Sequence, residues 1–178
     1  MHSQFFSLNR VTRLLFAVMI TAWLAACTSA PSPVPASAAP APSAAVPART
    51  LALLALGFEK TDEGFVLNLP GALLFGTGSD VLGADAKTSI EKLAVDIRGL
   101  NIDTARLFGH TDNVGSADLN RRLSAKRAEA VAVVMIANGF ASDKLERRGF
   151  GFDRPISSND TPEGRTKNRR VAVIVPFE

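Results

Sequence analysis

The chain has 178 residues, of which 20 are Lys or Arg and 17 are Asp or Glu, and its formal net charge is +3. Arg10 and Arg13 are the only charged residues among the first 26, so the balance from residue 27 onward is +1. A nearly neutral chain lacks the basic surface with which proteins bind polyanions, which argues against nucleic acid as a partner.

Residues 1–26 have the pattern of a secretory signal peptide. Two arginines precede an apolar run over residues 14–26 that is shorter than the ~20 residues needed to cross a bilayer as a helix. The run ends in Leu24-Ala25-Ala26-Cys27, which resembles the lipobox of bacterial lipoproteins and holds the chain's only cysteine. This resemblance implies cleavage before Cys27 and lipidation of its sulfur, since two or more acyl chains give a stable membrane anchor. The alternative is an ordinary signal peptide with an incidental cysteine.

The segment after Cys27 is predicted to be a linker. An Asp directly after the cysteine of a lipoprotein resembles an inner-membrane retention signal, so Thr28 at this position favours the outer membrane. Residues 28–50 hold six prolines and no acidic residue, and such a composition favours an extended chain of ~3.1 Å per residue, or up to ~70 Å. The lipidated cysteine and linker are therefore assigned to residues 27–50, and residues 51–178 to one compact domain.

The first half of this domain contains a hairpin pattern and two helix patterns. Apolar runs at 51–58 and 65–69 flank the turn-forming residues 61–64 and predict a β-hairpin. Apolar residues recur with a helical period over 85–100. A second helix is predicted over 116–138, where Asn138-Gly139 forms a natural stop.

Three further strands are predicted at 103–109, 145–152 and 169–175, with a short helix that opens at Thr161-Pro162. The last strand is apolar on both faces, which predicts that both faces are covered. Strands that alternate with helices in this order predict an α/β sandwich, in which helices pack on a small mixed sheet.

The loop Gly109-His110-Thr111-Asp112-Asn113-Val114-Gly115 connects a predicted strand to the long helix. Its glycines permit tight turns, and free backbone amides at the start of a helix attract an anion. Asp112 adds a negative charge at the same place. The loop therefore suits a ligand that carries both an ammonium and a carboxylate.

Arg127 interrupts the apolar stripe of the long helix. The stripe is predicted to run through Leu119, Leu123, Ala130, Val131 and Val134. At ~100° per residue, Arg127 lies ~40° from Leu123 and ~20° from Val134 around the helix axis. Arg127 is thus predicted to point where a core residue is expected; the alternative is a solvated arginine with a loose ion pair.

A series of motifs follows in a fixed order along the chain: Gly109-His110-Thr111-Asp112, Asn120, Leu123-Ser124, Arg127-Ala128, Gly149-Phe150-Gly151, Pro155, Asn159 and Asn168-Arg169-Arg170-Val171. This series resembles the OmpA-like C-terminal domain shared by peptidoglycan-associated lipoproteins, OmpA-type porins and flagellar stator proteins. The resemblance covers roughly residues 75–175. It implies a βαβαβ(α)β sandwich that binds the stem peptide of peptidoglycan noncovalently through meso-diaminopimelate.

The resemblance also implies residue roles. Asp112 is expected to bind the ammonium of diaminopimelate and Arg127 its carboxylate, because a planar guanidinium suits a carboxylate better than lysine does. Thr111, Asn120 and Arg169 are expected to make supporting contacts.

Two positions depart from the family pattern. Leu119 stands where a tyrosine is common, and this change is expected to affect packing only. Gly76 stands where an acidic residue is common, which removes an auxiliary contact to the stem peptide.

The sequence does not favour catalysis or metal binding. His110 and Asp112 are loop neighbours with no marked nucleophile, so His110 is expected to be structural. The only other histidine, His2, leaves with the signal peptide, and Cys27 is expected to be lipidated, so we expect neither a metal nor a cofactor.

Anchor, linker and binding motif together predict a lipoprotein of the outer membrane that faces the periplasm of a Gram-negative bacterium and tethers this membrane to the cell wall. Its expected partners are peptidoglycan, the outer membrane and other envelope proteins. The alternative is a protein that chiefly docks onto another envelope component, with wall binding secondary.

Overall fold

The structure, a computed structural model, describes the backbone of residues 42–177 and the side chains of residues 48–177. The predicted signal peptide, Cys27 and residues 28–41 of the predicted linker lie outside the described residues. The described elements are, in chain order, α1 (Pro42–Ala55), β1 (Glu59–Thr61), β2 (Gly64–Pro70), α2 (Gly71–Leu74), α3 (Ala84–Gly99), β3 (Ala105–His110), α4 (Ala117–Ala137), a short 3-10 helix (Ser142–Lys144), β4 (Leu145–Gly149), α5 (Pro162–Asn168) and β5 (Arg170–Val175).

The strands form one mixed five-stranded sheet in the order β1-β2-β5-β3-β4. β5 runs antiparallel to both of its neighbours, whereas β3 and β4 are parallel and are connected through α4. Apolar side chains of α3 and α4 pack on one face of the sheet and form the main core, which includes Ile90, Leu107, Val131 and Val173. The predicted α/β sandwich with helices on a small mixed sheet is confirmed.

The central strand, β5, is buried along its whole length. Val171, Val173 and Val175 belong to the main core, whereas Ala172 and Ile174 pack on the opposite face in a smaller cluster with Phe108. The prediction that both faces of this strand are covered is confirmed.

The strand predicted at 51–58 is wrong, because this segment forms the end of α1. Residues 51–56 are only Leu and Ala, which have high helix propensity. The helix ends in a Schellman motif: Gly57 adopts φ +89°, and the backbone N–H of Phe58 donates to Leu53 O at 3.0 Å. The turn at 61–64 is confirmed, but its first strand is only β1, and residues 42–50 of the predicted linker are helical.

Two glycines let α4 lie directly on the sheet next to the end of β3. A Cβ atom at Gly109 would overlap the backbone of Ser124, and one at Gly149 would overlap the backbone of Ala125. The hydroxyl of Ser124 accepts a hydrogen bond from the backbone N–H of Gly151 at 2.9 Å. This close contact places the middle of α4 beside the loop that follows β3.

Candidate functional site

A cavity of about 510 Å³ lies where the loop after β3 meets α4 and the start of β5. Its lining includes all five residues that the sequence predicts for ligand binding, namely Thr111, Asp112, Asn120, Arg127 and Arg169. Phe75, residues 76–78 and Arg165 complete the wall on the side of α2 and α5. The fold therefore brings together residues from distant parts of the chain.

Asp112 is fixed in the cavity wall by two hydrogen bonds. Its Oδ2 accepts from Nη1 of Arg169 at 2.5 Å, and its Oδ1 accepts from the backbone N–H of Val114 at 3.1 Å. The side chain of Asp112 is only 12% exposed, and that of Arg169 is 37% exposed. In the free protein Asp112 is thus paired with Arg169, whereas the sequence predicts Arg169 only as a contact of the ligand.

Arg127 is buried in the middle of α4, with 5% of its surface exposed, so the prediction that it points into the core side of the helix is confirmed. Its Nε donates to the backbone oxygen of Ser79 at 2.9 Å, and its guanidinium lies 5.0 Å from the ring centre of Phe75. Burial lowers the pKa of Arg127, as does the neighbouring Arg169, while Asp80 and Asp112 raise it.

No carboxylate among the described residues forms an ion pair with Arg127. Asp80 pairs instead with Lys126 at 3.8 Å, and Asp112 pairs with Arg169. Nη1 and Nη2 of Arg127 make no hydrogen bond within the described residues, so they remain available for an anion that enters the cavity. Because a buried cation without a counter-ion is energetically costly, such an anion would be bound favourably.

Thr111 and Asn120 support the loop that holds Asp112. The backbone N–H of Thr111 donates to Gly151 O at 2.8 Å, whereas its buried Oγ1 has no hydrogen-bond partner among the described residues. The side chain of Asn120 donates from Nδ2 to Val114 O at 2.8 Å. Asn120 thus braces the loop, and Thr111 has an unused hydroxyl.

A model of the OmpA family matches residues 74–169, which is more than half of the chain. The chain belongs to the OmpA family. It is 43% identical over 122 residues to the outer-membrane lipoprotein YfiB of Pseudomonas aeruginosa, covering 68% of this chain and 73% of YfiB. It is 40% identical over 106 residues to the peptidoglycan-binding protein ArfA of Mycobacterium tuberculosis, covering 59% of this chain and 32% of ArfA. The periplasmic domain of Helicobacter pylori MotB superposes with a TM-score of 0.61 and 31% identity, covering 68% of this chain and 81% of that domain.

Several residues of this OmpA-family site are not predicted by the sequence. Phe75 and Ser79 orient Arg127, although they precede it by about fifty positions in the chain. Arg165 lines the cavity together with Arg169. Arg169 directly follows α5, whose last residue is Asn168, so a helical spacing does not predict that the two side chains meet at the cavity.

The two departures from the OmpA-family pattern both lie at the cavity. Leu119 is 57% exposed and lines the cavity, so its predicted place in the apolar stripe is wrong. Leu119 lies in the first turn of α4, where the neighbouring Asn120 is the buried residue. Gly76 also lines the cavity and contributes no side chain to its wall.

His110 lies outside the cavity, with 3% of its surface exposed. Its ring stacks on Phe150, with ring centres 5.5 Å apart and planes 13° apart. Burial lowers the pKa of His110 to about 3, helped by the nearby positive charges of Arg170 and Arg154. His110 is therefore neutral at pH 7 and packs as an aromatic side chain.

Within residues 48–177, no three His, Cys, Asp or Glu side chains are grouped as a metal site. Among the described helices, none is long and apolar enough to cross a membrane.

Proposed function

We propose that this protein binds peptidoglycan noncovalently through the meso-diaminopimelate of the stem peptide. The single observation that carries the proposal is a cavity that joins a buried arginine without a carboxylate partner to an oriented carboxylate. One end of diaminopimelate bears an ammonium and a carboxylate on the same carbon, which is the complement of this pair. Asp112 accepts from the ammonium, and Arg127 donates to the carboxylate.

The contacts of Arg127 prepare it for this role. Because Nε is engaged by Ser79 and the ring of Phe75 supports one face, the guanidinium is held in one orientation with its two terminal nitrogens free. A carboxylate that binds both nitrogens replaces the water that the buried cation lost. Thr111 Oγ1, which has no partner in the described part of the chain, is placed to bond a polar group of the ligand.

Together with the predicted lipid anchor, this binding tethers the outer membrane to the cell wall. Lipidated Cys27 holds the chain in the outer membrane, residues 28–41 act as a spacer, and the OmpA-family domain binds the wall from the periplasm. YfiB is named an outer-membrane lipoprotein and ArfA a peptidoglycan-binding protein, which supports both ends of the tether. A tether needs no turnover, so we propose no catalytic activity.

The proposal is tested by co-sedimentation of residues 28–178 with purified peptidoglycan sacculi. Loss of one partner of a buried charge pair costs about 2 to 5 kcal/mol, so Arg127→Ala and Asp112→Ala are expected to weaken binding by about 30-fold or more. Arg122→Ala is the matched control, since Arg122 lies on the exposed side of α4 and pairs with Asp118. Variant affinities within threefold of the wild type contradict the assignment.

Docking onto another envelope protein is the second candidate. Leu51 and Leu54 on α1 are 66% and 45% exposed, and exposed leucines on one helix favour a protein partner. Leu51→Ser with Leu54→Ser separates the two functions. Loss of envelope-protein capture with unchanged sacculus binding supports docking as an added role, and unchanged capture removes it.

A further inference from the structure

The cavity has more positive than negative charge in its wall. Three arginines, Arg127, Arg165 and Arg169, face a single lining carboxylate, that of Asp112. Arg169 already neutralises this carboxylate. Arg127 and Arg165 therefore remain without a carboxylate partner among the described residues. The carboxylate of diaminopimelate in the proposed function compensates only one of these two charges.

Arg165 is the second of these cations. Its Nη1 donates to the backbone oxygens of Asn159 and Asp160 at 2.9 and 3.1 Å, which fixes the side chain without neutralising its charge. The carboxylate of Asp160 accepts from the hydroxyl of Ser158 at 2.8 Å instead. Arg165 lines the cavity, and its Nη2 and Nε make no hydrogen bond within residues 48–177, so these donors remain for a ligand.

We propose that Arg165 forms a second anionic subsite, which binds another free carboxylate of the stem peptide beside the one held by Arg127. This inference rests on the proposed function and narrows its ligand to a peptide with an ammonium at the free end of diaminopimelate and at least two free carboxylates. The second carboxylate comes either from the α-carboxyl of D-glutamate or from the α-carboxyl at the peptide-linked end of diaminopimelate. Amidation of that group removes its charge, so the site discriminates against an amidated wall.

The first test uses the wild-type chain, residues 28–178, and the tripeptide L-Ala-γ-D-Glu-meso-diaminopimelate in calorimetry at fixed ionic strength. Three further ligands are amidated singly: at D-glutamate, at the peptide-linked end of diaminopimelate, or at its zwitterionic end. A lost charge-assisted hydrogen bond corresponds to about tenfold in affinity. We expect that loss for one of the first two amides, which identifies the second carboxylate, and a larger loss for the third.

The outcomes separate the two proposals. If both of the first two amides bind within threefold of the free peptide while the third is weakened, the Arg165 subsite is wrong and the proposed function stands. If no tripeptide binds to the folded chain, both proposals fail.

A variant provides the second test. Arg165→Gln is expected to bind the free and the singly amidated peptide equally, because it lacks the charge that distinguishes them. Arg122→Gln, which removes an exposed arginine of α4 outside the cavity, is expected to keep the tenfold difference. Retention of the full difference in Arg165→Gln overturns the subsite. If Arg165→Gln fails to fold, the affinities of the wild-type protein for the amidated peptides still decide whether the Arg165 subsite exists.

Discussion

Replacement of Arg127 by Met separates ligand binding from folding. In the free protein this arginine is 95% buried without a carboxylate partner among the described residues, so folding removes its hydration with little electrostatic return. Replacing such a charge by an apolar side chain of similar size is often neutral or stabilising. Met also packs well on an aromatic ring, and Phe75 is the neighbour.

The expected magnitude follows from the contacts. Arg127→Met loses the hydrogen bond to Ser79, worth about 1.5 to 3 kcal/mol because the donor is charged, and the desolvated contact with the ring of Phe75, worth about 2 kcal/mol. Relief from desolvation offsets these losses. We therefore expect the free energy of unfolding to change by no more than about 1 kcal/mol, while the affinity for diaminopimelate peptides falls by about 30-fold or more.

Urea unfolding followed by circular dichroism measures the first quantity, and calorimetry with the stem tripeptide measures the second. Arg122→Met is the matched control on the exposed side of α4 and should change neither quantity appreciably. A loss of stability above about 3 kcal/mol in Arg127→Met means that Arg127 is a structural residue, because removal of needed core contacts has that size. Tripeptide binding within threefold of the wild type refutes the role of Arg127 in the ligand site.

Three other changes test the site and its support. Asp112→Asn is expected to weaken sacculus binding by about 30-fold, since it removes the charge for the ammonium, and equal co-sedimentation with wild type contradicts that role. Gly109→Ala is expected to destabilise the domain by about 3 kcal/mol or more, because the new Cβ atom overlaps the backbone of α4. The control Gly99→Ala, which has open space around its Cβ position, should be neutral or stabilising. Equal urea midpoints for the two variants disprove the close contact. The pKa of His110 is about 3 in the folded state and 6.5 in the unfolded state, so between these pH values the unfolded chain binds one more proton than the folded protein. The free energy of unfolding therefore falls by about 1.4 kcal/mol per pH unit as the pH decreases from 6.5 to about 3. His110→Phe keeps the aromatic contact and should remove this slope from the difference between variant and wild type, and identical pH profiles show that His110 does not titrate in this way.

The predictable parts of the molecule are those set by local sequence. The helical period and the glycine-rich loop are patterns within a few dozen residues. They were therefore sufficient to predict that Asp112 lies beside the start of α4 and that Arg127 lies on the buried side of this helix. The strand predicted at 51–58 failed because a short apolar run has no clear period, and the helix propensity of Leu and Ala decides.

The parts that escaped prediction depend on contacts between distant residues. Asp112 and Arg169 are 57 positions apart, and Arg127 and Ser79 are 48 apart, so no local pattern reveals these hydrogen bonds. The exposure of Leu119 depends on which elements pack against the first turn of α4, and no local pattern reveals this packing.

The most direct test is an NMR titration of residues 28–178 with the tripeptide L-Ala-γ-D-Glu-meso-diaminopimelate and, in parallel, with L-Ala-γ-D-Glu-L-lysine, whose side-chain ammonium has no carboxylate on the same carbon. We predict saturable shifts of the amide signals of residues 109–115 with the diaminopimelate peptide, which are absent with the lysine peptide and lost in Arg127→Met. Equal responses to the two ligands, or no response from the folded wild-type domain, contradict recognition of a zwitterion by Asp112 and Arg127.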